Sequence, residues 1–360
     1  MFVESGKQRF SPRKLPGATR SPRMRKETDF SDDLDPNSGK TAALEPNSLT
    51  IPLPRMQFDV SNVLDNPQPL EDSLARKRDQ LLALLASLGR VAVAYSGGVD
   101  SAVVAKAAAL VVGEHAVAVT AVSNSLATGE LENAQSEASR MGIRHEIIRT
   151  GEFTRPGYVA NASDRCFHCK TELYTTLQQH RERLQFDVIV NGANADDQGD
   201  HRPGMRAADD HAVRSPLLEV GLNKAEVREL ARHWGLRAWD KPASPCLASR
   251  VAYGVQVTPE RVERIDRAEQ YLRENFGLAE LRVRMESNEL ARVEVPLQAL
   301  PALVAESARS KMVAYFRELG FRYVTLDLEG FRSGSLNQVI SVESLIRHHS
   351  PSSDGAPARG

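Results

Sequence analysis

Three short segments hold residues whose types and spacing could do chemistry. The first is Ser96-Gly97-Gly98-Val99-Asp100-Ser101, behind the apolar run Val91-Ala92-Val93-Ala94-Tyr95 and ahead of an alanine-rich stretch. Glycines let a backbone turn tightly and aim its N–H groups at a ligand. The hydroxyls of Ser96 and Ser101 add donors, and a helix starting behind the loop favours an anion. These residues therefore suit a phosphate. No Gly-Lys-Ser/Thr follows, which excludes the Walker loop that grips β- and γ-phosphates. The plain alternative is a strand-to-helix turn capped by Asp100.

The second and third segments hold all three cysteines of the chain. Cys166-Phe167-His168-Cys169 stands just before a helical stretch, with a spacing suited to metal or redox chemistry. Cys246 lies in Lys241-Pro242-Ala243-Ser244-Pro245-Cys246-Leu247-Ala248-Ser249-Arg250, where two prolines prevent regular structure. All three read as loop cysteines rather than core thiols. Zinc held by three thiolates with His168 or water satisfies the count. A 4Fe-4S cluster with one open iron satisfies it equally. Arg250, four residues beyond Cys246, could lower a thiolate pKa or bind an anionic substrate.

Carboxylates and arginines fill out the candidate site. Asp196, Asp197 and Asp200 follow an expected strand, where the carboxyl ends of a parallel sheet meet ligand. They suit Mg²⁺ or a ribose, or a plain polar turn. Arg282 and Arg284 alternate along an expected strand and so share a face. Taken alone, that pattern reads as a charged edge strand. Arg202 and Arg214 are weaker phosphate candidates. Glu263 and Glu269 read as a solvated helix face, and His168 as a bystander to three thiolates.

The elements that must position these segments alternate regularly. Strands are expected over 91–95, 116–122, 144–148 and 187–191. Helices are expected over 74–88, 99–112, 129–141, 170–184 and 224–234. Such alternation predicts an α/β fold, a doubly wound parallel sheet covered by helices. The pattern changes after Thr258, which caps a helix to about 276 with Pro259 in its first turn. Strands over 281–285 and 290–295, a helix over 297–319 and a strand over 323–328 complete a smaller C-terminal α/β block. The expected organisation is a disordered extension 1–70, a larger domain 71–255 with the glycine-rich and cysteine loops, a small domain 256–346 and a disordered tail 347–360. The extension is rich in Arg, Lys, Pro, Asp and Asn and too poor in apolar residues to bury a core. It has no apolar region of the signal-peptide kind. A targeting or nucleic-acid arm is the weaker reading of it, and Met56 is a candidate start.

Composition bounds the rest. The 360 residues are 41% hydrophobic and 26% charged, with a net charge of -1. That length suits about two domains. No apolar run is long enough to span a membrane. Three cysteines cannot form a paired disulfide framework. The balanced charge and low aromatic content argue against a nucleic-acid partner. A cytoplasmic globular protein is expected.

The first segment resembles the pyrophosphate loop of the ATP pyrophosphatase (PP-loop) superfamily. That resemblance implies a HUP-like, doubly wound domain that binds ATP, adenylates a carboxylate or carbonyl oxygen and releases pyrophosphate. Further segments narrow it: Asp164 through Lys170, Asn191 through Asp197, Asp200-His201-Arg202-Pro203-Gly204, Lys241 through Arg250, and Arg282-Val283-Arg284. Together they resemble the LarE family of sulfur transferases in nickel-pincer nucleotide biosynthesis, across roughly residues 72–345. The resemblance implies ATP and Mg²⁺, held around Ser96, Gly97, Gly98, Asp100, Ser101, Asn194, Asp196, Asp197 and Asp200. It implies a pyridinium biscarboxylate mononucleotide as substrate, with Arg282 and Arg284 on its phosphate and Arg250 beside them. Sulfur then replaces AMP to give a thiocarboxylate. In one subgroup the cysteine matching Cys246 is the sulfur donor and becomes dehydroalanine. In another, cysteines matching Cys166, Cys169 and Cys246 hold a 4Fe-4S cluster whose open iron carries sulfide. The presence of all three favours the cluster. A symmetric homo-oligomer is implied as well.

Competing functions remain distinguishable. An ammonia-using PP-loop synthetase leaves the three cysteines without a role. A tRNA-thiolating enzyme wants a basic, aromatic face. A sensor or metal-storage module would bind ATP without turnover.

Overall fold

The run Val91–Ala94 has no polar face to offer water, so it is buried on both sides and forms the centre of a sheet. The computed structural model describes residues 70–197 and 203–332, all within one compact unit, Asp59–Gly360. Strands β1 (Val91–Ala94), β2 (Ala116–Val122), β3 (Arg144–Arg149) and β4 (Val188–Val190) pair in parallel in the order β3-β2-β1-β4. Helices α1 (Asp72–Ser87), α2 (Val99–Val112) and α3 (Glu130–Met141) cover one face, together with α6 (Lys224–His233). Helices α4 (Arg165–Gln179) and α5 (Pro203–Asp210) cover the other. Successive strand residues serve opposite layers: Val91 and Val93 pack with α1 and α2, while Ala92 packs with Tyr174 and Leu177 of α4. This is the expected doubly wound α/β sheet. The chain runs outward from β1 to β3 and then crosses back to place β4 on the far side of β1. The reversal opens a crevice at the carboxyl ends of β1 and β4.

A second, three-stranded sheet follows, of strands β5 (Arg282–Glu286), β6 (Leu290–Glu294) and β7 (Tyr323–Leu326) in that order. The β5–β6 pair is antiparallel and the β6–β7 pair parallel. Helix α7 (Pro259–Phe276) lays Val262, Ile265, Ala268 and Leu272 on this sheet. Thr258 caps it by accepting from the Arg261 amide, and Gly277 ends it at φ 64°. Helix α8 (Glu306–Glu318) adds Met312 and Phe316. The two sheets are joined through the segment after Cys246, where Ala252 N donates to Met285 O at 2.9 Å. Among the described residues no helix is long and apolar enough to cross a membrane.

Several expectations are corrected. The helix expected over 170–184 starts at Arg165, stops at Gln179 and is followed by a separate turn, Arg181–Leu184. The Cys-Phe-His-Cys segment is therefore helical, not a loop. Nothing between Arg165 and Cys169 breaks a helix, and the i,i+3 spacing puts both thiols on one side of its first turns. Residues 203–210, where no element was expected, form α5, whose Ala207 and Ala208 are small enough to pack closely on α4. The helix expected over 297–319 is interrupted at Ala305, where ψ is 133°. The extension 1–69, the tail from 333 onward, Asp200 and Arg202 lie outside the described residues.

One glycine fixes the crevice. A Cβ at Gly192, just beyond β4, would lie 2.6 Å from the Ser101 amide nitrogen and 2.9 Å from the Asp100 carbonyl carbon. Backbone cannot give way as a side chain can. Gly192→Ala is expected to cost about 1–3 kcal/mol in chemical unfolding by displacing the glycine-rich loop. Gly113→Ala, with open space around it but φ at 53°, should lose about 1–2 kcal/mol from backbone strain alone.

Candidate active site

The glycine-rich loop leaves β1 and starts α2. Gly97 turns at φ 72°, and Gly98 is the residue before the helix. Ser101 Oγ donates to Gly98 O at 3.1 Å, and the Ser96 amide donates back to Ser101 Oγ at 3.2 Å. Asp100 does not cap the helix. It accepts from Asn194 Nδ2 at 3.0 Å and from Lys224 Nζ. The loop is thereby pinned to the end of β4 and to α6. Asp197 Oδ2 accepts from the Asn194 amide of its own turn at 3.0 Å, and Asp196 Oδ2 accepts from the Lys224 amide at the start of α6 at 2.9 Å. Arg214 is paired with Glu219.

Two clefts meet at the Cys246 loop. One, of about 290 Å³, lies over the glycine loop and is lined by Asp100, Lys224, Arg228 and Lys241. The other, of about 220 Å³, runs from Tyr95 and Ser96 at the end of β1 to Cys169, Lys170 and Cys246. Ser244 and Pro245 line both, as do Ser96 and Glu130. Glu130 holds the dividing loop by accepting from Lys241 Nζ at 2.7 Å and Ser244 Oγ at 3.3 Å. Lys170, Lys224, Arg228 and Lys241 were not singled out as functional by the sequence pattern. Glu130 and Glu152 carry no motif at all.

Cys169 and Cys246 line the far end of the second cleft, and Cys166 stands one turn before Cys169 on α4. Cys166 and Cys246 are exposed and Cys169 is part-buried. Burial, then the neighbouring Cys246 and Glu152, push the Cys169 thiol up to about 12. Lys170 is held above its ordinary pKa: burial opposes its charge, but Tyr174 and all three cysteines outweigh that. Arg165 is 5% exposed and donates to Ala248 O at 2.8 Å, tying the start of α4 to the Cys246 segment. Three thiols around a lysine and an arginine suit an iron-sulfur cluster by donor type. As the side chains stand, no group of three or more His, Cys, Asp or Glu among the described residues is drawn together to hold a metal. His168 turns away to Asp164, with Nε2 3.3 Å from its carboxylate.

The arginines divide into braces and one open cation. Arg250 is 1% exposed and bonds Glu269 at 3.0 Å, with its remaining nitrogen on the carbonyls of Pro245 and Cys246. It braces the loop and does not face the cleft. Glu269, expected on a solvated face, is 0% exposed, because Arg250, Arg273 and the Val283 amide all donate to it. Glu263 is exposed, as expected. Arg284 is buried against Glu294 at 2.9 Å and Ser249 O at 3.1 Å. Arg282 donates only to carbonyls, of Leu281 at 2.6 Å and Ala243 at 3.1 Å, and lies over Phe331. Burial and the crowding of Arg250, Arg284 and Arg273 lower its pKa to about 10, against the pull of Glu269.

Two outcomes follow from this geometry. Near neutral pH, iodoacetamide should label Cys166 and Cys246 first, with Cys169 slower by roughly ten-fold or more until the pH approaches its raised pKa; a mass-spectrometric time course reads the order. Arg250→Leu strands the buried Glu269 carboxylate and should cost about 3–5 kcal/mol in denaturant unfolding. Arg282→Leu, which leaves only carbonyls behind, should cost less than about 1.5 kcal/mol.

No profile of a known protein family matches the chain. Individual proteins do. An uncharacterized protein of Synechocystis is 47% identical over 268 residues, 74% of this chain and 99% of that protein. An uncharacterized protein of Methanocaldococcus jannaschii is 26% identical over 244 residues, 68% of this chain and 91% of that protein. The pyridinium-3,5-bisthiocarboxylic acid mononucleotide synthase of Lactiplantibacillus plantarum is 34% identical over 274 residues, 76% of this chain and 98% of the synthase. A match that spans nearly the whole synthase, on a doubly wound sheet with a glycine loop opening onto a cysteine cleft, places this chain in the LarE family.

Proposed function

We propose that this chain is a cytoplasmic ATP-dependent sulfurtransferase that converts a pyridinium biscarboxylate mononucleotide to its thiocarboxylate, the kind of product named in its Lactiplantibacillus relative, a pyridinium-3,5-bisthiocarboxylic acid mononucleotide synthase. The observation that carries this reading is the continuous cleft from Ser96 of the glycine loop to Cys169 and Cys246. A nucleotide on the loop and a thiol-borne sulfur would then address the same acceptor. The substrate carboxylate attacks the α-phosphorus of ATP, the α–β P–O bond breaks, and pyrophosphate leaves. Ser96, Gly97, Gly98 and Ser101 supply loop donors, with Lys224, Arg228 and Lys241 facing the cleft above them. Mg²⁺ would offset the phosphate charge. The acyl adenylate is an electrophile with AMP as leaving group, and sulfur attack on its carbonyl carbon expels AMP. Lys170, held protonated beside the thiols, suits the developing negative charge.

Two sulfur sources fit. Cys166, Cys169 and Cys246 would hold a 4Fe-4S cluster, which supplies a sulfide on its open iron. The second reading makes Cys246 the donor itself, with its Cβ–S bond broken and dehydroalanine left behind. The exposed position of Cys246 suits that second reading. The cysteine count favours the first. A homo-oligomer accompanies either.

Anaerobically purified protein, assayed for iron, acid-labile sulfide and intact mass before and after turnover, separates them. About four irons per chain with unchanged mass after turnover supports the cluster. Iron-free protein that loses the elements of H₂S at Cys246 supports the sacrificial donor. Pyrophosphate release that depends on the pyridinium biscarboxylate is expected in both. Release without any such dependence would sink the reading.

A further inference from the structure

The described residues bury four glutamates: Glu137, Glu152, Glu269 and Glu294. Three are neutralised. Glu137 meets Arg140, Glu269 meets Arg250 and Arg273, and Glu294 meets Arg284 and Arg292. Glu152 has no cation. It is 3% exposed and follows β3 at the start of the short turn Glu152–Thr154. Ser123 Oγ donates to its Oε1, and its Oε2 is buried with no hydrogen-bond partner. The adjacent Arg155 is committed to Glu172 at 2.5 Å. A buried carboxylate without a counter-charge is expensive, so its persistence wants a reason.

Its surroundings suggest one. Glu152 lines the cleft that ends at Cys169 and Cys246, among the apolar walls Val119, Ala121, Leu126, Ala127 and Leu173. A hard dication wants several oxygen ligands, and the other carboxylate of this cleft, Glu130, is held by Lys241. A small ammonium would lose its hydration to hydrocarbon. An aromatic cation spreads its charge over a ring that apolar walls accept, and low polarity strengthens its attraction to a fixed carboxylate. We propose that Glu152 is the counter-charge for a cationic aromatic ring, of the pyridinium class, and so selects a charged ring over a neutral one. The inference rests on the functional reading above and adds to it the residue that recognises the ring.

Calorimetric titration of the full-length protein with nicotinamide mononucleotide and with its dihydro form tests this. The two share ribose and phosphate and differ in ring charge. Wild type should bind the cationic form roughly ten-fold more tightly. Glu152→Gln keeps the Ser123 contact and should lose most of that preference, weakening the cationic form alone, with ATP binding and melting temperature close to wild type. Equal affinity for both forms in wild type overturns the inference without needing the variant, as does a preference that survives in Glu152→Gln. Pyrophosphate release with the biscarboxylate is measured in parallel. Release alongside no ring-charge preference overturns the role of Glu152 only, whereas neither release nor binding overturns the functional reading with it.

Discussion

Glu269 is a carboxylate with no exposure, and the second half of the molecule is arranged around neutralising it. A buried charge is tolerated only when each lone pair finds a donor. Arg250, Arg273 and the Val283 amide supply them, from the Cys246 segment, from α7 and from β5. Arg250 then has donors left over, and these take the carbonyls of Pro245 and Cys246. The cysteine loop cannot move without unpairing a buried ion. Arg284 repeats the device one step away, with Glu294 on one side and Ser249 O on the other.

The loop needs this help because Pro242 and Pro245 deny it regular hydrogen bonding. Arginines from other elements satisfy its carbonyls instead. Arg228 of α6 takes Trp239 O and Lys241 O, and Arg282 of β5 takes Ala243 O. Glu130, in the first turn of α3, holds Lys241 and Ser244. A segment with no secondary structure is thus strapped to both sheets' surroundings. That placement makes Ser244 and Pro245 the partition between the cleft over the glycine loop and the cleft with the thiols. In the proposed reaction, the loop that carries Cys246 thus also bounds the nucleotide cleft.

Much of this was legible in local sequence. The glycine loop, the four parallel strands and the Thr258-Pro259 helix start are set by residues a few positions apart, and they appear where expected within a residue or two. Glu269 was misread because its fate depends on Arg250, nineteen positions away. Yet it stands on the same stripe as Val262, Ile265 and Leu272, a helical spacing that favours burial over solvent. Arg282 and Arg284 share a face, as alternation requires, but cross-strand pairing separates them. Glu294 sits on β6 within reach of Arg284, and no pattern within β5 alone could reveal that. Helical Cys166 and Cys169 were missed because a short polar run without breakers looks the same in a loop as in a helix's first turn.

Arg165, Arg282 and Glu152, all near the cysteine loop, make no ion pair among the described residues; Arg165 bonds Asn161 and Ala248 O. Arg282 is a cation that donates to carbonyls, and burial first, then the crowding of Arg250 and Arg284, makes it hold its proton more loosely than usual. Glu152 is an anion with one oxygen unpaired. Arg282 and Glu152 differ in sign and lie on different sides of the loop's supports. A ligand with a cationic ring would discharge Glu152 within its cleft, while an uncharged analogue would leave that charge unanswered. Specificity of this kind comes from what the wrong ligand fails to neutralise.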